Sequence, residues 1–115
     1  MHELGLITSV VDAVKPVAVE NHATRVKQIN LRIGEMTEVI EDALMFSFEI
    51  LAEDEPLLKD CKLNVEFNGC KSECAVCGKT FEHDRFHRVC PACGSNLTRL
   101  IDGNNMDIAS IEIEN

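Results

Sequence analysis

An α+β fold, two helices on a three-stranded sheet interrupted by a cysteine-rich insert, is predicted by three features of the sequence. Two stretches carry apolar residues at helical spacing, and three shorter ones alternate apolar and polar side chains as half-buried strands do. They follow one another as helix, strand, helix, strand, insert, strand. The insert, Gly69 to about Asp102, has few large apolar residues and holds five of the six cysteines, four of them in two pairs.

The first helix is expected over about Leu4–Asn21, where Leu4, Ile7, Val11, Val14 and Ala18 recur on one face. Pro16 removes a hydrogen bond to residue 12 and crowds that turn, which predicts a kink or an early end. "NHATR" makes a short turn. In "VKQINLRIG", Ile29, Leu31 and Ile33 alternate with Asn30 and Arg32, a strand with one buried face closed by Gly34. The second helix, "TEVIEDALMFSFEILAEDEP", takes Thr37 as N-cap, with Glu38, Glu41 and Asp42 near the positive end of its dipole. Its apolar stripe is Ile40, Ala43, Leu44, Ser47, Phe48 and Leu51, and Pro56 ends it. "CKLNVEF" points Cys61, Leu63, Val65 and Phe67 inward. "NMDIASIEIE" is the last strand, and its inward parity changes between Ile108 and Ile111, which predicts a bulge near Ala109.

The insert cannot bury enough apolar surface to order itself. "CAVCG" and "CPACG" supply the remedy: Cys74, Cys77, Cys90 and Cys93 form a C-x2-C-x12-C-x2-C pattern. Each pair offers two thiolates from one tight turn, and the glycine after it lets backbone amides curl toward sulfur. Four thiolates make a closed tetrahedral site suited to structural zinc, so the insert is read as a zinc-ribbon-like subdomain. Iron is the rival occupant, but a chain with no Trp and no Tyr lacks the aromatic packing of iron-bearing knuckle folds. The expected division is 1–69 plus 103–115 for the α+β domain and 70–102 for the four-cysteine subdomain. Cys61 is assigned to the core and Cys70 to a free thiol at the neck. His83 and His87, four apart between the knuckles, are read as polar loop residues, with a supplementary ligand or a pH-sensitive contact as the sharper alternative.

A filled four-thiolate site leaves no open position for water, and H-E-x-x-H, a phosphate loop and a nucleophile motif are all missing. The chain is therefore not expected to be an enzyme. Net charge is −9, which argues against a general nucleic-acid binder. From Gly34 to Asp60 nine acids face one base, Lys59, most simply a solvated helix face and alternatively a docking surface for a basic partner. Paired cysteines and a start without a basic, apolar leader predict a reducing cytoplasm, and no apolar run is long enough to span a bilayer.

One motif remains. "MHELGL" puts His2 beside the amino terminus, and a bulky second residue should leave Met1 in place. The Met1 amine, the backbone nitrogens of His2 and Glu3, and the His2 imidazole then form a compact all-nitrogen chelate. Planar nitrogen donors favour Ni(II) or Cu(II), whereas tetrahedral sulfur favours zinc. The amides must lose protons to bind, so affinity should fall as pH drops.

"MHELGL", "RVKQINLRIGEMTEVIEDALMFSFEI", the two knuckles and "IEIE" together closely resemble the HypA family, accessory proteins for nickel insertion into nickel–iron hydrogenases. The resemblance covers essentially the whole chain. It implies that His2 is the essential nickel ligand, completed largely by the Met1 amine and nearby backbone nitrogen, and that Glu3 supports this site. It implies that Cys74, Cys77, Cys90 and Cys93 hold zinc. The implied partners are the HypB GTPase and the hydrogenase large-subunit precursor, with the chain a monomer or homodimer and the 1–69 plus 103–115 domain the nickel-binding one. Pro16 departs from the family, which usually runs a helix there. The alternative function is a zinc-ribbon interaction module without a nickel role.

Overall fold

A computed structural model of the chain describes residues 3–84 and 86–115. Its elements are α1 (Glu3–Glu20), β1 (Arg25–Gly34), α2 (Glu41–Glu53), β2 (Lys62–Asn68), β3 (Cys70–Cys74), β4 (Thr80–His83), β5 (Thr98–Asp102) and β6 (Met106–Glu114). Short 3-10 turns occupy Glu35–Thr37 and Pro56–Leu58. The strands form two three-stranded sheets, β2-β1-β6 and β4-β3-β5. The mixed α+β architecture is thus present. The chain divides into two compact units, one of residues 1–32, 39–66 and 107–115, the other of 33–38 and 67–106.

In the first unit, α1 and α2 pack on each other. Its core takes Leu6, Ile7, Val10, Val11, Val14 and Ala18 from α1, with Val26, Ile29 and Leu31 from β1, Leu44 and Phe48 from α2, and Leu58 and Leu63. Burial of such side chains, about 1.5–3 kcal/mol each, is what offsets the ordering of the chain. β6 runs antiparallel to β1: the Thr24 N–H donates to the Glu114 carbonyl at 2.7 Å, and Asn30 Nδ2 donates to Ser110 Oγ at 2.9 Å. The burial alternation of β6 slips between Ile108 and Ile111, as its sequence parity predicts.

Four expectations are corrected. Of the kink or early end expected at Pro16, the early end does not occur: α1 runs through Pro16 to Glu20. Pro16 and Asp12 both lie on the exposed face, where water can take the carbonyl that proline leaves without a donor. Leu4 is 51% exposed, and Leu6 and Val10 take its place in the buried face. Thr37 is not the cap of α2. It sits in the 3-10 turn with its hydroxyl donating to the Gly34 carbonyl at 2.8 Å, and Glu38, at φ 58, turns the chain so that α2 starts three residues later with Ile40 as N-cap. Finally, only Leu63 of the predicted inward set in β2 is buried, and Cys61 is half-buried rather than a core residue. β2 is an edge strand of its sheet, covered on fewer sides than the central β1. Partial burial pushes the Cys61 thiol up to about 11.

Lys15 Nζ lies 2.8 Å from Glu55 Oε2. The hydrogen bond to Lys15 holds the Glu55 carboxyl below its ordinary 4.5. A carboxyl depressed in the folded state contributes above its unfolded value and loses that contribution as pH falls through the folded one. Both groups meet solvent, so the effect is slight. Glu55→Gln is expected to leave stability at pH 7 little changed and to shrink the decline below pH 4.5, read by far-UV circular dichroism of urea melts.

Candidate metal centre

The second unit is built on β3. β3 pairs antiparallel with β4, setting Cys70 opposite His83 and Ser72 opposite Phe81. It pairs antiparallel with β5, setting Glu73 opposite Arg99 and Cys74 opposite Thr98, with an irregularity between Lys71 and Ser72. The Glu73–Arg99 register brings their charged ends to 3.5 Å. β3 delivers the chain into the first knuckle at Cys74, and β5 carries it away after the second.

The two knuckles fold alike because their sequences are alike. Gly78 and Gly94 take φ +76 and +75, a left-handed conformation that side-chain-bearing residues seldom adopt. Each then donates its N–H back to the first cysteine of its pair, Gly78 to the Cys74 carbonyl at 3.0 Å and Gly94 to the Cys90 carbonyl at 2.9 Å. The Cys74 N–H donates to the Lys79 carbonyl and the Cys90 N–H to the Ser95 carbonyl, both at 2.9 Å. The Ala75 N–H donates to the Leu97 carbonyl at 2.8 Å, and the Thr98 hydroxyl to the Arg88 carbonyl at 2.9 Å, which holds the knuckles face to face.

The result is a cluster. The Sγ atoms of Cys74, Cys77, Cys90 and Cys93 all lie within 4.8 Å of one another. Cys74 approaches Cys93 at 3.5 Å and Cys77 approaches Cys90 at 3.6 Å, and all four are free thiols. Four sulfurs around zinc at ~2.3 Å stand ~3.8 Å apart, a spacing close to that of these two pairs, so the donor set suits that ion. Amides already point at the sulfurs: the Val76 N–H meets Cys74 Sγ at 3.4 Å. The Cys77 amide above all, then that of Val76, draws the Cys74 thiol down to about 6. The Cys93 amide does the same in direction for Cys90. Against the lowering amide of Ser95, the neighbouring sulfurs of Cys74, Cys90 and Cys77 push Cys93 up to about 12. Four crowded sulfurs do not all ionise alone; a dication relieves their repulsion and takes them as thiolates.

The other candidates fall elsewhere. His2 lies outside the described residues. His83 belongs to β4, not to a loop: its Nε2 stands 2.7 Å from the buried Ser72 Oγ, and its Nδ1 2.5 Å from the Asp84 carbonyl. Both ring nitrogens are engaged, which ties the strand end rather than holding an ion. His87 pairs through Nδ1 with the Asp84 carboxylate at 2.8 Å. Among the described residues, the four cysteines are the group placed to hold a metal. Cys70 is a buried free thiol. The sequence reading missed one long-range relation, a hydrogen bond from the Ile40 N–H to Glu3 Oε1 at 3.2 Å. A glutamate at a helix start signals a favourable dipole position, but nothing local in the sequence names an amide 37 residues away as its partner.

A two-helix α+β unit together with a paired-knuckle cysteine module defines a small metal-binding protein. A family profile described as hydrogenase/urease nickel incorporation, metallochaperone, hypA matches residues 1–113, and the chain belongs to that HypA family. It is 34% identical over 114 residues to hydrogenase maturation factor HypA of Prosthecochloris aestuarii, covering 99% of this chain and 100% of that protein. Its identity to the protein of the same name from Aquifex aeolicus is 31%, covering 99% and 98%. The solution structure of the nickel metallochaperone HypA from Helicobacter pylori matches with a TM-score of 0.73 at 25% identity, covering 99% of this chain and 98% of that one. The family is one of metallochaperones for nickel incorporation. No described helix is long and apolar enough to cross a membrane.

Proposed function

We propose that this chain binds Ni(II) at its amino terminus and delivers it to the nickel–iron hydrogenase large-subunit precursor, working in the cytoplasm with the HypB GTPase. The Met1 amine, the His2 imidazole and the backbone nitrogens of His2 and Glu3 are the proposed nickel donors. Cys74, Cys77, Cys90 and Cys93 hold structural zinc. In this reading 1–69 plus 103–115 is the nickel-binding domain and 70–102 the zinc subdomain. The observation that carries the reading is the family match over residues 1–113, which takes in both the terminal "MHE" and the cysteine cluster. Two donor chemistries keep the ions apart. Zinc is retained by soft sulfurs in a closed cage, and nickel is taken by nitrogens on a chain end from which it can leave.

The test is a Ni(II) titration of the zinc-loaded protein, of His2→Ala, and of a variant with one residue added before Met1. Both changes are expected to abolish tight nickel binding while zinc content and far-UV circular dichroism persist. Unaltered nickel affinity in both leaves the zinc-ribbon interaction module without a nickel role as the standing alternative.

A further inference from the structure

α2 gives one face to the core and one to solvent, and the solvent face is not uniformly polar. Leu44 and Phe48 are buried. On the opposite side Phe46 and Ile50, one helical turn apart, are 56% and 47% exposed. Single exposed apolar residues are common, but two stacked on one helix face make a short apolar stripe. Carboxylates border it. Asp42 lies four residues before Phe46, Glu49 three after it, and Glu53 three after Ile50. All three are exposed and, among the described residues, none is in an ion pair. Toward the C-terminal end of α2 the face meets a groove of about 620 Å3, lined by Phe48, Ala52 and Pro56 and by Glu49, Glu53 and Asp60. Lys59 also lines it, but between Ile33 and Leu58 the sequence holds no Lys, Arg or His.

An apolar stripe with a rim of one sign selects its occupant. A second copy would set these carboxylates against their own kind, and nucleic acid or an anionic lipid surface meets the same repulsion. A segment with aliphatic side chains flanked by Lys and Arg meets none. Its aliphatic residues cover Phe46 and Ile50, while the basic side chains lay their methylene stems along the apolar part of the groove and set their charges on Glu49, Glu53 and Asp60. The stripe repeats at helical spacing, so the segment that matches it best is another helix laid alongside α2.

We propose that the outer face of α2 and its groove form a docking surface for a basic amphipathic helix of a partner protein. The surface lies wholly within the unit of residues 1–32, 39–66 and 107–115, and it depends neither on the cysteine cluster nor on where nickel binds.

The probe is a synthetic amphipathic peptide of about 18 residues with Leu at helical spacing flanked by Lys and Arg, and its control is a scrambled peptide of the same composition. The zinc-loaded full chain is titrated with each and followed by amide NMR. The probe is expected to bind with micromolar affinity, to shift resonances within 41–61, and to weaken about tenfold as NaCl rises from about 0.05 to about 0.5 M. Phe46→Gln with Ile50→Gln keeps helix propensity and every charge, and is expected to weaken binding about tenfold. Glu49→Lys with Glu53→Lys keeps the stripe and is expected to weaken it at least as much. Far-UV circular dichroism checks the fold of both variants. Equal binding of the scrambled peptide, or full affinity in Phe46→Gln with Ile50→Gln, reduces the surface to a diffuse acidic field and overturns the proposal. A dimer in analytical ultracentrifugation that this double variant dissolves overturns it too, because the stripe then belongs to a second copy.

Discussion

Cys90→Ser is expected to release zinc and to unfold the unit of residues 33–38 and 67–106, while α1 and α2 stay folded. Cys90 is 1% exposed and forms a small buried cluster with Cys74 and Phe81. Beyond that cluster, among the described residues, the buried side chains of this unit are Ile33, Cys70 and the small polar Ser72. An apolar inventory of that size does not hold three strands and two turns together. The metal must supply the difference, and structural zinc in comparable modules contributes roughly 10–16 kcal/mol of apparent folding free energy. Losing one of four thiolates opens the cage and removes most of that. The measurement is zinc content with amide NMR: stoichiometry falls below one, resonances of 67–106 collapse, and those of the helices remain. Strong chelation of the wild-type protein should reproduce the change, and added zinc should reverse it. Native-like resonances in the chelated protein would show that the cysteines pack without need of an ion.

The second large effect comes from a residue with no side chain. Gly34→Ala is expected to destabilise the protein by about 3 kcal/mol or more. A Cβ at residue 34 would stand 2.1 Å from the Gly103 carbonyl oxygen and 2.3 Å from its carbon. That backbone cannot retreat freely. The Gly103 carbonyl accepts the Met36 N–H at 2.8 Å, the Gly34 N–H donates to the Asn105 carbonyl at 2.8 Å, and Gly103 itself takes φ +124 against Cys70. Relieving the clash breaks bonds that two crossing segments make with each other. Gly5→Ala supplies the contrast. Gly5 lies in α1 with nothing within 4 Å of its would-be Cβ, so alanine there should stabilise by up to ~1 kcal/mol. Urea melts followed by circular dichroism should move in opposite directions for the two variants, and equal midpoints would contradict the close approach at Gly34. The chain has no Trp or Tyr to serve as an alternative probe.

Which of these effects the sequence foretold depends on how far apart the interacting residues are. The cysteine centre was legible because each knuckle is encoded within five residues, C-x-x-C-G, and the left-handed glycine that closes it is local geometry. The burial slip in β6 was legible from the side on which Ile108 and Ile111 fall. Cap and edge were harder. Thr37 has the chemistry of an N-cap, but the turn at Glu38 moved the helix start to Ile40. Val65 and Phe67 alternate as inward residues should, yet the edge position of β2 leaves that face only partly covered. The early end expected as one outcome at Pro16 did not occur, because helix propensity is read without knowing which face meets water.

The sequence by itself determined the order of helices and strands outside the insert, the four-thiolate donor set, and the nitrogen-rich start that marks the family. Each of these is written in a period or a spacing that the covalent chain imposes on its neighbours. Only the tertiary structure decided that Gly34 must be bare because Gly103 crosses it, and that Glu3 closes the start of α2 through Ile40. Those contacts join residues remote in sequence. They exist because packing brings two segments together, a condition that no local pattern of either segment contains.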